Sequence, residues 1–157
     1  PCGQIRIRAS GSAGGHNGLV LSANSSAGGL VGIGALVGGV VTPLPGLGAI
    51  GGSPYEFVFA DSDTLYIADD NSLGTTGGLR RYDYDASLGT WVQTYRLTTG
   101  LTLGLRSLTI DPATGTLYAV QAGSSAGGVT SLVSVVDTGA SSSFTVLSTS
   151  AAGTVYR

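Results

Sequence analysis

Few residue types in this chain can do chemistry. His16 is the sole histidine and Cys2 the sole cysteine, so neither a multicysteine zinc site nor an internal disulfide is open to it. Cys2 is therefore free, or paired with a cysteine elsewhere. His16 stands beside Asn17 and offers either a single ligand or a solvent-facing ring. Two acidic runs carry hard oxygens: Asp61 with Asp63, and Asp69 with Asp70 and Asn71. Ca²⁺ accepts such oxygens, but neither run has the roughly 12-residue loop and closing Glu of an EF-hand. Turn and capping bonds are the simpler use of both. The Ser-rich stretches have no paired histidine with a positioned acid to activate a nucleophile. Tyr82, Tyr84 and Tyr95 alternate with polar or charged residues; on an exposed face, Tyr82 and Tyr84 would offer ring and hydroxyl to a carbohydrate or a protein.

The elements that hold these residues repeat. Thr64-Leu65-Tyr66-Ile67-Ala68 returns as Thr116-Leu117-Tyr118-Ala119-Val120, 52 positions later. Phe57-Val58-Phe59 anticipates Leu108-Thr109-Ile110 at an offset of 51, while Leu79 anticipates Leu132 and Trp91 anticipates Phe144 at 53. Four landmarks in one order describe a repeated supersecondary unit rather than one recurring turn. Strand-like runs at 56–59, 64–67, 78–84 and 91–97 form one unit, and those at 106–110, 116–120, 131–136 and 143–147 form the next. Asp111-Pro112-Ala113-Thr114-Gly115 marks the turn of the second unit's first hairpin. Trp91 and Phe144 read as a recurring core position, with a ligand platform as the other use of Trp91.

The first 52 residues follow a looser pattern. Gln4-Ile5-Arg6-Ile7-Arg8 alternates as a half-exposed strand does, and Gly11-Ser12-Ala13-Gly14-Gly15 reads as a flexible loop. Gly28 to Ile50 is apolar and glycine-rich. Its length would span a bilayer, but flanking charge is missing and Pro43 and Pro45 interrupt its end. Buried short strands, a packed glycine-rich segment or a surface-covering arm remain as readings. Asn24-Ser25-Ser26 is a formal glycosylation sequon, relevant only in a secretory setting.

Composition bounds the rest. The 157 residues suffice for one modest core, and 42% are hydrophobic while only 10% are charged, against about 25% in an ordinary soluble domain. The 27 glycines disfavour long helices, since each costs about 1 kcal/mol against alanine in a helix interior. All basic charge is arginine, the net charge is −2, and no charge lies between Arg8 and Glu56. No basic stripe is available to follow a phosphate backbone, which argues against nonspecific nucleic-acid binding. The chain opens on Pro1 rather than methionine, as a processed or excerpted product does.

Two resemblances add to this reading. Residues 53–157 resemble a secreted bacterial-type β-propeller family through Ser53-Pro54-Tyr55-Glu56-Phe57-Val58-Phe59-Ala60-Asp61, Asp63-Thr64-Leu65-Tyr66-Ile67-Ala68-Asp69-Asp70 and Leu132-Val133-Ser134-Val135-Val136-Asp137-Thr138-Gly139. That resemblance implies an extracellular scaffold or binding module. Residues 2–19 resemble the bacterial-type peptidyl-tRNA hydrolases through Gly3-Gln4-Ile5-Arg6-Ile7-Arg8 and Gly11-Ser12-Ala13-Gly14-Gly15-His16-Asn17-Gly18-Leu19. It implies an α/β cleft in which Asn17 positions the substrate and His16 lies beside it. The family's catalytic histidine and acidic partner precede this motif; here His16 is the only histidine and no acid precedes Glu56.

The expected architecture is all-β: propeller-like four-stranded antiparallel sheets in an incomplete propeller or an assembling fragment. Residues 1–52 would be a degenerate blade or assembly arm, 53–102 one blade-like unit and 103–157 another. The expected function is an extracellular or cell-surface structural or interaction module, self-associating or completed by missing blades, with a glycan or protein as further partner. No cofactor is required, with Ca²⁺ at the acidic runs as the exception, and no membrane partner is expected. The enzymatic alternative is a cytoplasmic hydrolase fragment acting on peptidyl-tRNA, which alone would bring a nucleic-acid partner.

Overall fold

The computed structural model describes residues 5–13, 16–24, 31–122, 129–151, 154 and 156; for residues 5–31 it describes the backbone alone. Among them every regular element is a strand, in three antiparallel sheets of four. β1 (Ile5–Ala13), β2 (His16–Asn24), β3 (Val31–Val37) and β4 (Val40–Pro43) form the first. The middle sheet holds β5 (Pro54–Phe59), β6 (Thr64–Asp69), β7 (Gly78–Asp85) and β8 (Thr90–Leu97). The third holds β9 (Leu105–Ile110), β10 (Thr116–Gln121), β11 (Ser131–Val136) and β12 (Thr145–Thr149). Each is a meander in which consecutive strands are neighbours. No helix among the described residues is long and apolar enough to cross a membrane.

The N-terminal segment departs from its expected pattern. Gly11-Ser12-Ala13 is strand rather than loop, because pairing with β2 supplies ladder bonds that outweigh glycine's weak strand preference. The apolar run that ends at Ile50 contains the β3–β4 hairpin, turning at Gly38-Gly39. Cys2 and the two serines of the sequon lie outside the described residues.

Alternation along each strand determines what packs where. On the middle sheet, Phe57, Leu65, Ile67, Tyr82 and Trp91 meet Ile33, Ala35, Leu44 and Leu47 of the first sheet and the loop after it. Val58, Tyr66, Ala68, Leu79 and Leu97 face the other way, against Leu105, Leu108, Leu117, Ala119, Val133, Val135 and Phe144 of the third. Both faces of the middle sheet are therefore core. Full burial of a side chain such as Phe57 or Leu117 contributes about 1.5–3 kcal/mol. The sequence repeat is realised as a repeat of orientation: Phe57, Leu65 and Trp91 look toward the preceding sheet, as do Leu108, Leu117 and Phe144.

The joints between sheets repeat as well. After the first sheet, Leu47 N donates to Leu44 O at 2.8 Å and Pro45 O accepts Trp91 N at 3.0 Å; after the middle sheet, Leu101 N donates to Thr98 O at 3.0 Å and Thr99 O accepts Phe144 N at 2.9 Å. Each joint thus ties the outer strand of the sheet it enters. Gly46 and Gly100 have φ of +80° and +85°, and a β-carbon on either would collide with the carbonyl oxygen of Trp91 or Phe144. Replacing either glycine with alanine is expected to destabilise the fold by about 2–3 kcal/mol. Gly115→Ala, also at positive φ but facing open space, should cost only about 1–2 kcal/mol. Urea unfolding midpoints of the three variants check this, and equal shifts would contradict the crowding at the joints.

Candidate functional site

The chain's charge gathers where β7 places two adjacent arginines on opposite faces of the middle sheet. Arg80 points toward the first sheet and is 5% exposed. Its guanidinium pairs with Asp69 Oδ2 at 3.2 Å and donates to Tyr82 Oη at 2.5 Å and Gln93 Oε1 at 3.1 Å. It also donates to the carbonyls of Ile50 at 2.7 Å and Gly51 at 3.1 Å, holding the loop that enters β5. Arg81 points toward the third sheet. It pairs with Asp83 at 2.9 Å and, across the interface, with Asp137 at 3.1 Å.

Asp137 is the centre of the second cluster. It follows β11, and its carboxylate accepts Tyr66 Oη at 2.5 Å, Tyr95 Oη at 2.7 Å and Gly139 N at 2.9 Å. Arg81 sits over the rings of Tyr66 and Tyr95, 5.8 and 5.5 Å from their centroids. Three groups of the middle sheet thus converge on one carboxylate of the third. A bulge in β8 makes this possible: Tyr82 pairs with Gln93 and Arg81 with Tyr95, leaving Thr94 as the additional residue. Without it Gln93 and Tyr95 would share a face; with it Gln93 serves Arg80 and Tyr95 serves Asp137.

The electrostatics follow from these contacts. Burial would raise the Asp137 carboxyl, but the bonds from Tyr66, Tyr95, Gly139 and Arg81 outweigh it and hold its pKa below the ordinary value. Burial, then the bond to Asp137, pushes the Tyr66 phenol well up, and Tyr95 moves the same way. The bond to Asp83 leads those that raise Arg81 further. At neutral pH the cluster is thus a fixed ion pair with two neutral phenols.

Three of the four acidic residues named from sequence have their carboxylates engaged in hydrogen bonds or ion pairs within the protein. Asp61 and Asp63 are exposed, and Asp61 Oδ1 accepts Asp63 N at 2.8 Å. Asp69 is fully buried; besides Arg80 it accepts Ser53 N at 3.1 Å and Asn71 N at 3.0 Å. Asp70 pairs with Arg106 of β9 at 2.9 Å. Asn71 bonds Ser72 N and Thr76. Among the described residues no three Asp, Glu, His or Cys side chains converge as a metal site would require. Gln121, 52 residues after Asp69, has the same office: its Oε1 accepts Thr102 N at 2.8 Å and Leu103 N at 3.1 Å. These two buried side chains each fasten the loop that enters their own sheet.

Tyr82, expected on an exposed face, is 3% exposed and packs toward the first sheet. Its hydroxyl donates to Gln93, so it presents no ring for a glycan. Tyr84 is half-buried, 5.5 Å from the ring of Trp91. Trp91 is itself a core residue, 2% exposed. His16 and Asn17 open β2, where His16 pairs with Ala13 through the backbone; their side chains lie outside the description. Asp137 and its partners escaped the sequence reading because Tyr66 and Asp137 are 71 residues apart. The available signal was Arg80-Arg81, a double arginine in a strand of a chain with little charge. No protein-family model, curated protein or solved structure matches the chain.

The Asp137 cluster carries a pH dependence of known sign. A carboxyl held low in the fold stabilises it fully above its unfolded value, about pH 4, and that stabilisation is lost as pH falls through the folded value. A phenol held high stabilises fully below about pH 10 and loses that contribution as pH rises further. Asp137→Asn should cost about 1–3 kcal/mol at neutral pH and make the acid limb of a stability profile shallower. Tyr66→Phe should flatten the alkaline limb. Chemical unfolding at stepped pH reads both, and unchanged limbs would deny the cluster its role in holding the sheets.

Proposed function

We propose that this chain is a structural and interaction module built of consecutive propeller blades, acting outside the cell through its surfaces rather than through reacting atoms. The observation that carries this reading is the middle sheet, a four-stranded meander with both faces buried against like neighbours. Radial stacking of such sheets is the propeller arrangement. The order of contacts supports it: β5 packs beside β9, and β1 and β2 pack beside β5, so the first strand of the middle sheet adjoins the first strand of each neighbour.

The polar groups support a scaffold over a catalyst. Arg80, Arg81, Asp69 and Asp137 are consumed in bonds that join loops and sheets. General-base chemistry needs a base within reach of its water, and the Tyr66 and Tyr95 phenols are pushed away from neutral titration. An extracellular setting accords with the absence of lysine, the sparse charge and the Ser, Thr and Gly content.

The experiment is hydrolysis of a synthetic peptidyl-tRNA by the purified full chain. The ester should decay at the rate of the buffer control. Turnover that His16→Ala or Asn17→Ala abolishes would overturn the scaffold reading in favour of the hydrolase resemblance.

A further inference from the structure

We infer that Tyr55, Asp70 and Arg106 form a binding site for a singly charged carboxylate, at the edge where β5 and β9 bring the middle and third sheets together. This gives the interaction reading above a site, and rests on that reading for the ligand being held rather than converted. The backbone supplies the first argument. In β9, Leu105 pairs with Gln121 and Ser107 with Val120, which leaves Arg106 as the additional residue of a bulge. In β5, Pro54 pairs with Asp69 and Glu56 with Ala68, which leaves Tyr55 in the same position 51 residues earlier. Bulges re-aim side chains.

Both bulges act at this interface. Tyr55 stands two residues before Phe57, and plain alternation would send it with Phe57 toward the first sheet. Instead its ring lies 5.5 Å from the Arg106 guanidinium of the third. In β9, Leu105 enters the core against the middle sheet while its neighbour Arg106 reaches Asp70, so consecutive residues serve one interface. The backbone device recurs, but the carboxylate does not: Ala122 stands 52 residues after Asp70. Arg106 also differs from the arginines of β7 in how it is used. Arg80 and Arg81 direct their Nη groups to several acceptors. Arg106 commits Nε alone, to Asp70 Oδ2 at 2.9 Å, and among the described residues its Nη groups have no acceptor.

The chemistry of the ligand follows from what is fixed and what is left over. A guanidinium is a planar fork that meets a planar carboxylate through two parallel N–H bonds. Here Asp70, its side chain 13% exposed, holds the Nε position, and the Tyr55 ring lies against the guanidinium. The Nη1–Nη2 edge remains for an incoming oxyanion, on a side chain that is 48% exposed. Ordering of the fork before the ligand arrives lowers the entropic cost of binding. Tyr55, whose hydroxyl has no partner among the described residues, adds a further donor. Asp70 also selects by charge. Its carboxylate lies across the guanidinium from the ligand, and a dianionic phosphate meets twice the repulsion that a carboxylate does.

Titration of the isotope-labelled full chain, read by nuclear magnetic resonance at the Arg106 Nε–H and the neighbouring amides, tests the site. The probes are acetate, D-glucuronate, N-acetylglycine, D-glucose and inorganic phosphate at a pH where it is a dianion. The three carboxylates should give saturable shifts; glucose, a sugar ring without the carboxylate, should give none, and phosphate should bind more weakly. Tighter binding of glucuronate than of N-acetylglycine assigns the carboxylate to an acidic sugar, the reverse to an amino acid, and either order supports the site. Arg106→Lys keeps the charge and loses the fork, and should weaken carboxylate binding on the order of 10–100-fold. Arg106→Gln should abolish it, read at the amides, with far-UV circular dichroism unchanged in both variants. Asp70→Asn should narrow the gap between phosphate and carboxylate. No saturable shift with any carboxylate, or one that survives Arg106→Gln, overturns the site and leaves the scaffold reading standing. Phosphate binding as tightly as acetate overturns the selection for single charge. Ester turnover in the hydrolysis assay removes the scaffold reading without altering the carboxylate titration.

Discussion

Everything in this fold depends on the middle sheet being buried on both sides. A strand gives alternate residues to opposite faces, so β5, β6 and β7 each build two interfaces at once. Phe57 and Val58, or Leu65 and Tyr66, are neighbours in sequence and belong to different cores. A register slip of one residue would exchange the two sets and mismatch both interfaces together. This is a stronger constraint than a sheet with one solvated face experiences, and it lets a chain rich in glycine define its pairing.

The scarcity of charge explains how the remaining charges are used. In an interface this apolar, an unpaired ion costs several kcal/mol, so Arg80 and Arg81 are surrounded by acceptors on both sides of one strand. Arginine suits the task where lysine would not. Its planar fork directs donors to a carboxylate, a phenol, an amide oxygen and two carbonyls at once, and it lies over tyrosine rings. The β8 bulge is the backbone counterpart of this arrangement, sorting Gln93 and Tyr95 to the arginine each serves.

The sequence made the repeat legible because its landmarks are local. Thr64-Leu65-Tyr66 and Thr116-Leu117-Tyr118 each sit in a second strand, and the all-β assignment followed from their spacing. The first sheet was harder to read, since glycine stands within its strands as well as at the Gly38-Gly39 turn, and its pairing comes from the ladder itself. Tyr82 was misplaced for a different reason. Its strand alternates polar and aromatic residues as a half-exposed strand does, but the face that carries Tyr82 packs on the first sheet, and on the other face Arg81 is paired with Asp83 and with Asp137 of the third sheet. Alternation reports two environments without naming which is solvent. Nothing local could disclose the Asp137 cluster, whose parts come from β6, β7, β8 and the loop after β11.

The polar clusters also divide what repeats from what does not. Joints, buried loop fasteners and core landmarks recur at intervals of 51 to 54 residues, and they set how sheets stack. The ion pairs do not recur: 53 residues beyond Arg80, Arg81 and Tyr95 stand Val133, Ser134 and Ser148. One interface is sealed by Asp69 with Arg80, whose fork also reaches the loop leaving the first sheet, and the other by Arg81 with Asp137. A sheet docked out of order would meet the wrong complement and strand a buried charge. Repetition therefore makes the sheets stack, and the unrepeated ion pairs decide which sheet stacks on which.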